Sequence, residues 1–437
     1  MSEPLRFPAM ERSLRAVLAG TFTLRFSTGL TGAMLGLYLA YLPNHGGAPI
    51  DAWVVGVFAA VFYVTELVLS PIFGILSDRF GHRRLMLYGP IFGGVAVVLM
   101  GAATSLPILG ASRLLQGAST AASVPSILGF IALATAGSEI MRGKAAARFE
   151  GATLAGLGIG FIVAPKLFDA IHEQAFYLNA AVYAVALLIF WFGVSDPAGE
   201  QEAVAAPHVG LNRYVRLVRS AHVLLLAPTW IAVNASIGLW FSQSLYQFSK
   251  ADDRFPDQVL MAGYNANQIT VAAIVIAIVF GVGLLYWGNR FKNMRRTTII
   301  LYGILGGGVL VAGGLGLNHS ANVVTIVPIV AAALVGGGLF VLAGATPAAL
   351  GLLADISERF PADRGAIMGL YSVFLAIGQI AGSLIGGFAA AWRGIDGMLI
   401  ATFVLLGVAL LPLARLRRQE HEIEGPGSVA VIGELSQ

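Results

Sequence analysis

Apolar residues run along this chain in blocks of about twenty, each closed by a short polar or charged interval. A segment that crosses a bilayer needs roughly 20 predominantly apolar residues. The pattern predicts helices near 16–42, 52–76, 85–104, 107–135, 147–168, 175–195, 222–248, 267–287, 297–317, 321–350, 365–391 and 396–415. The first block follows a charged stretch, Arg6 to Arg15, without a clear cleavage site, so it reads as a retained helix rather than a signal peptide. The longest polar interruption is Ser195 to Ser220. Within it Arg213, Arg216 and Arg219 recur every three residues beside Leu211, Tyr214 and Leu217, the pattern of a short basic helix on an anionic membrane face or of a charged linker.

Composition agrees with lipid as the solvent: 57% of residues are hydrophobic and 11% charged, against roughly 25% charged in soluble proteins. The 54 glycines suit close helix packing in a membrane. No cysteine is present, which excludes disulfides, thiolate metal sites and a cysteine nucleophile. The 7 histidines are scattered without metal-ligand spacing, so no metal and no cofactor is expected. The net charge of +4 is explained by membrane topology and needs no nucleic-acid partner. With the N-terminus in the cytoplasm, nearly all lysines and arginines fall in alternate loops on the inner side. Only Lys166, Lys250, Arg254 and Arg393 fall outside, and Arg25 and Arg113 lie within the membrane. That alternation requires an even number of crossings and puts both termini in the cytoplasm.

A repeat divides the chain. Arg142-Gly143 opens the fifth helix and Arg364-Gly365 the eleventh, and at the same offset Gly156 falls on Gly378 and Gly160 on Gly382. The expected fold is an all-α integral membrane protein of 12 transmembrane helices in two six-helix bundles. The expected domains are 1–195, a linker 196–220, a second bundle 221–416 and a cytoplasmic tail 417–437. Duplicated halves of this kind place a binding site at mid-membrane between them.

The loop after helix two reads Gly74-Ile-Leu-Ser-Asp78-Arg79-Phe-Gly81-His82-Arg83-Arg84. Gly74 permits close helix approach, Gly81 a tight turn, and Asp78 is placed to face a positive helix N-terminus. In letters and position this loop resembles the signature of the major facilitator superfamily, with His82 where that signature has an arginine. Arg113-Leu-Leu-Gln116-Gly117 in helix four resembles a second pattern of the same family, R-x-x-x-G. Helix five ends Ala164-Pro165-Lys166 and partly resembles the glycine-proline motif of the family's drug:proton antiporters. Ala164 replaces a glycine, and Lys166 and Phe168 replace others. The resemblance implies the twelve-helix fold, alternating access and a cytoplasmic latch at the helix-two loop. It also implies a multi-pass protein of the cell (inner) membrane.

Several side chains then become candidates. Arg25 lies about nine residues into helix one, roughly 14 Å deep, and Glu66 roughly 15 Å from the end of helix two. Glu66 reads as the one carboxylate well inside the hydrocarbon. Intramembrane charges are functional candidates by default, so Glu66, Arg25 and Arg113 are the central set, acting in proton coupling or as a static ion pair. Arg113, Gln116, Thr120 and Ser123 form one polar stripe, expected to face water. Ser236, Trp240, Gln243 and Gln247 share a face of helix seven, and Ser372, Gln379 and Ser383 a face of helix eleven. These uncharged groups suit an organic substrate.

The expected activity is secondary transport, with proton-coupled export of a hydrophobic or amphipathic organic compound ahead of uptake or facilitated diffusion of a small polar or anionic solute. A membrane-embedded enzyme or receptor would need a catalytic constellation or a sensing domain, and the sequence supplies neither. The expected partners are a small-molecule substrate, protons and membrane lipids, with the chain acting as a monomer.

Overall fold

The computed structural model describes residues 6–135, 139–195, 221–292, 294–321, 323–358 and 364–423. The expected basic helix at 196–220 and the tail beyond 423 lie outside these residues. Six helices come first: α1 (Arg6–Tyr41), α2 (Ala52–Phe80), α3 (His82–Ala102), α4 (Leu106–Ala134), α5 (Glu139–Ile171) and α6 (Gln174–Gly193). Then follow α7 (Ala221–Ser249), α8 (Ala266–Gly288), α9 (Arg296–Asn318), α10 (Ile326–Leu342), α11 (Ala345–Glu358) and α12 (Arg364–Ile423). Nine stretches among the described residues are long and apolar enough to cross a membrane. The 36-residue α1 and 29-residue α7 are outside that set and carry Arg25, Thr28 and Thr31, and Asn234, Gln243 and Gln247.

Two features change the sequence-based helix map. The block expected at 321–350 as one helix is α10 and α11, divided at Ala343–Gly344. Trp287 of α8 lies against Gly344, and its indole Nε1 donates to the Phe340 carbonyl at 3.1 Å. That carbonyl would otherwise bond the amide four residues on; the Gly344 amide instead bonds Val341 O at 3.2 Å. The last two expected helices form one run, α12, with non-helical dihedrals at Arg393 and Gly394. Gly394 takes φ +57°, a region in which a side chain is strained. A 47-residue apolar stretch, Ser372–Arg418, spans about twice a bilayer core, and this break separates its two crossings. With α10 and α11 as one crossing and α12 as two, the described helices supply the twelve expected.

The chain divides into two compact units. One comprises Met1–His208 with Ser242–Lys250 and Tyr264–Ile274; the other comprises Val209–Phe241, Ala251–Gly263 and Val275–Gln437.

In the first unit α5 crosses α1 with backbones in contact. A methyl group on Gly156 would lie 2.6 Å from the Phe22 carbonyl and 2.9 Å from Arg25 Cβ, and one on Gly160 would lie 2.7 Å from the Leu30 amide. In the second unit the first arm of α12 crosses α7 the same way. A methyl on Gly378 would meet Asn234 Cβ at 2.6 Å and the Ile231 carbonyl at 2.8 Å, and one on Gly382 would press on Ala235. The repeat read from the glycines is therefore a repeated helix crossing. The second unit's core gathers Trp230, Ile300, Leu352, Leu353, Leu406 and Leu413.

Candidate functional site

The α1–α5 crossing fixes the depth of Arg25. On a helix the side chain leans back toward the N-terminus, here toward the first turns of α5. Both Glu66 of α2 and Glu150 of α5 lie within electrostatic reach of its guanidinium. Neither carboxylate forms an ion pair with it within 4.0 Å among the described residues. Glu66 and Arg25 are half-buried. The Arg25–Glu66 juxtaposition expected from sequence is thus an electrostatic neighbourhood without a locked contact.

Glu150 is a second carboxylate near Arg25, at an exposed position on α5. The apolar run alone places the start of helix five at 147, three residues before Glu150. The helix begins at Glu139, and its membrane stretch, Lys144–Ile171, includes Glu150. The polar opening Glu139-Ile-Met-Arg142-Gly143-Lys144 hid those turns from an apolar periodicity.

Arg113 is buried within the first unit. Its Nε donates to the Phe58 carbonyl at 3.1 Å, its Nη1 to Gln116 Oε1, and its guanidinium lies 4.8 Å from the centre of the Phe62 ring. Gln116, Thr120 and Ser123 are buried beside it, with Ser123 Oγ bonded to the Ser119 carbonyl at 2.8 Å. The stripe predicted to face water is thus enclosed by protein. Gly117 explains the tight fit, since a methyl there would press on Thr65 Cβ at 2.6 Å.

Two tyrosines that the sequence pattern did not single out join this set. Tyr63 is within reach of Glu66, Arg113 and Arg25, and Tyr183 lies beside Thr28 and Thr31. Asn179 donates to the Ser27 carbonyl at 3.1 Å and to Thr31 Oγ1 at 2.7 Å. The i, i+3 spacing of Tyr63 and Glu66 on α2 was a legible signal for the first.

The uncharged candidates of α7 fall in different units. Gln243 and Gln247 belong to the first, where Gln243 donates to the Ala52 carbonyl at 3.0 Å and Gln247 to Gln243 Oε1 at 3.4 Å. Ser236 and Trp240 belong to the second. Ser236 bonds back to the Val233 carbonyl at 2.7 Å and Trp240 Nε1 to Thr402 Oγ1 at 3.0 Å. Among the candidate side chains, three buried atoms have no hydrogen-bond partner within the described residues: Gln116 Nε2, Gln379 Oε1 and Ser383 Oγ. Buried polar atoms are nearly always paired, so each of these has hydrogen-bonding capacity left over.

The loop motif folds as its letters suggest. Gly81, at φ +94°, is the single residue between α2 and α3. His82 is buried, with Nδ1 3.2 Å from Ser77 Oγ and Nε2 3.9 Å from Asp78 Oδ1. Asp78, Arg79 and Arg84 are exposed, Gly74 is half-buried, and Arg83 donates to the Trp191 carbonyl at 2.7 Å.

Comparison with known proteins assigns the class. The Major Facilitator Superfamily profile matches residues 17–262 and 255–433, and the chain belongs to that family of transporters, which are not enzymes. It is 26% identical over 343 residues to Multidrug resistance protein 1 of Bacillus subtilis (strain 168), an alignment covering 76% of this chain and 79% of that protein. It is 22% identical over 301 residues to Quinolone resistance protein NorA of Staphylococcus aureus, covering 68% and 71%. In fold it resembles the crystal structure of the nucleoside transporter NupG, with a TM-score of 0.69 at 14% identity over 93% of this chain and 98% of that one.

Proposed function

We propose that this transporter exports a hydrophobic or amphipathic organic compound in exchange for protons, with Glu66 carrying the proton. The observation that carries the reading is the relation of Glu66 to Arg25: close enough to feel its charge, yet not ion-paired to it. A carboxylate in that position exchanges its proton whenever its distance to the arginine differs between two conformations. The resistance proteins named above give the substrate class its support. The unpartnered atoms Gln116 Nε2, Gln379 Oε1 and Ser383 Oγ offer hydrogen bonds without charge to such a compound.

On this reading the bundles 1–195 and 221–416 act as the moving halves. The Gly74–Arg84 loop serves as the cytoplasmic latch through Asp78. Both termini lie in the cytoplasm, as the arginine distribution requires.

The test is transport of a quinolone by the purified chain in proteoliposomes. An imposed proton gradient should drive accumulation by the wild type. Glu66→Gln keeps the shape and fixes the neutral form, so gradient-driven accumulation should fall to the level of protein-free liposomes while quinolone exchange persists. Loss of exchange as well would make Glu66 a substrate ligand or a structural group. Undiminished driven transport would remove it from coupling.

A further inference from the structure

We propose that the second unit holds a site for an anionic phospholipid, in the groove between the start of α9 and the end of α12. The groove has a volume of about 450 Å³. Small-molecule sites commonly enclose ~300–1,000 Å³. Arg295, Arg417 and Arg418 line one end, and Leu301, Leu410 and Leu413 line the rest.

The two helices order these residues by depth. Leu301 lies six residues beyond Arg295, roughly 9 Å along α9, and Leu410 lies seven residues before Arg417, roughly 10 Å along α12. The three arginines therefore stand at one end and the leucines continue from them toward the apolar middle of the helices. Arg417 Nη2 lies 3.4 Å from Thr298 Oγ1, which lays its side chain over the first turn of α9. No acidic residue lines the groove among the described residues. Arg296, next in sequence, pairs with Asp355.

A positive end leading into an apolar channel complements a phosphodiester headgroup with an acyl chain attached. The arginine distribution assigns this end to the cytoplasmic face, where anionic lipids attract basic residues and where basic pockets between helices bind their headgroups. Arginines that only fix topology need no groove beside them. The leucines add a requirement for a chain, which a free phosphate ion does not have.

Binding to the purified full chain in a neutral detergent can be measured by native mass spectrometry. Phosphatidylglycerol, phosphatidylcholine and glycerol 3-phosphate are the probes. The wild type should retain phosphatidylglycerol in preference to phosphatidylcholine and should bind glycerol 3-phosphate far more weakly. R417Q/R418Q should weaken phosphatidylglycerol binding roughly thirty-fold, the equivalent of about 2 kcal/mol at about 1 kcal/mol per arginine. The single change R418Q should weaken it roughly five-fold on the same scale. Leu410→Trp, which fills the apolar part, should weaken phosphatidylglycerol alone. Equal retention of the two phospholipids, or undiminished phosphatidylglycerol binding by both arginine variants, overturns the site. Glycerol 3-phosphate bound as tightly as the lipid would make it an anion site and overturn the lipid.

Discussion

The same helix crossing carries different chemistry in the two units. Gly156 and Gly160 press on Phe22, Arg25 and Leu30 in the first; Gly378 and Gly382 press on Ile231, Asn234 and Ala235 in the second. The local sequences match as well: Arg25-Phe-Ser-Thr-Gly29-Leu30 stands where Asn234-Ala-Ser-Ile-Gly238-Leu239 stands. Gly29 receives Leu157 of the crossing helix, and Gly238 receives Gln379. The backbone arrangement is shared, yet the arginine of one unit is an asparagine in the other.

The difference extends through each interior. The first unit holds Arg25, Glu66 and Arg113 along the inner parts of its helices, with Glu150 exposed nearby. The second keeps Asn234, Ser236, Gln379 and Ser383 inside and its charges at the helix ends, in Arg296–Asp355 and in His319 with Asp396 at 2.8 Å. Charge in a membrane interior is costly, and a duplicated scaffold has no packing reason to hold it in one copy only. The helix packing is shared between the units, while the charge inside the helices lies in the first.

The strongest test of that division removes the arginine. Arg25→Asn gives the first unit the residue that the second already has. It leaves Glu66 and Glu150 without their shared cation, so gradient-driven flux in proteoliposomes should fall to background. Normal flux in this variant would mean that the charge difference between the units has no part in transport.

Packing, by contrast, should respond alike in both. Gly160→Val and Gly382→Val each force a side chain into the backbone of the crossed helix. Overpacking costs about 1–3 kcal/mol where neighbours can shift. These neighbours are backbone, so the upper part of that range applies to both. Thermal unfolding in detergent should show similar drops for the pair. A large drop for one alone would show that the crossings are not equivalent.

Much of this was legible from sequence. Most crossings followed from apolar runs, because bilayer thickness sets their length. The paired glycines announced the repeated crossing. Three things were hidden. The division of α10 from α11 depends on Trp287, fifty-three residues before the carbonyl it takes. Glu150 lay behind a polar helix opening. The stripe of Arg113, Gln116 and Thr120 pointed inward because Gly117 draws α4 onto α2, which no periodicity on α4 alone reveals.

At the helix ends the second unit's charge should act on stability only. Arg296 Nη2 donates to Asp355 Oδ1 at 2.9 Å, and Nε bonds the other carboxylate oxygen, so the pair is bidentate. Both side chains remain about a quarter to a third exposed (26% and 33%), so solvent screens the pair. Asp355→Asn should cost about 1 kcal/mol, above the usual surface pair because of the bidentate geometry. The double exchange Arg296→Asp with Asp355→Arg should recover part of it. A change in driven flux beyond the fraction of folded protein lost would show that charge in the second unit also serves transport.

The smallest effect is expected at Asn234, where the comparison is sharpest. This residue is 3% exposed and occupies the position that Arg25 holds in the other unit. Its amide Nδ2 donates to the Trp230 carbonyl at 2.9 Å, one turn back on its own helix. In a continuous helix that carbonyl also accepts the backbone amide of residue 234, so removing the side-chain donor leaves no orphaned acceptor. Removing a hydrogen bond without stranding its partner costs about 0.5–1.5 kcal/mol. Asn234→Ala should therefore lower the unfolding temperature slightly, and its driven flux per folded protein should stay unchanged. Arg25→Ala, at the matching position, should abolish it. Flux lost in Asn234→Ala, with the fold intact by thermal unfolding, would mean that the second unit performs chemistry of its own at the crossing, and the two units would then differ in the kind of group they use rather than in whether they use one.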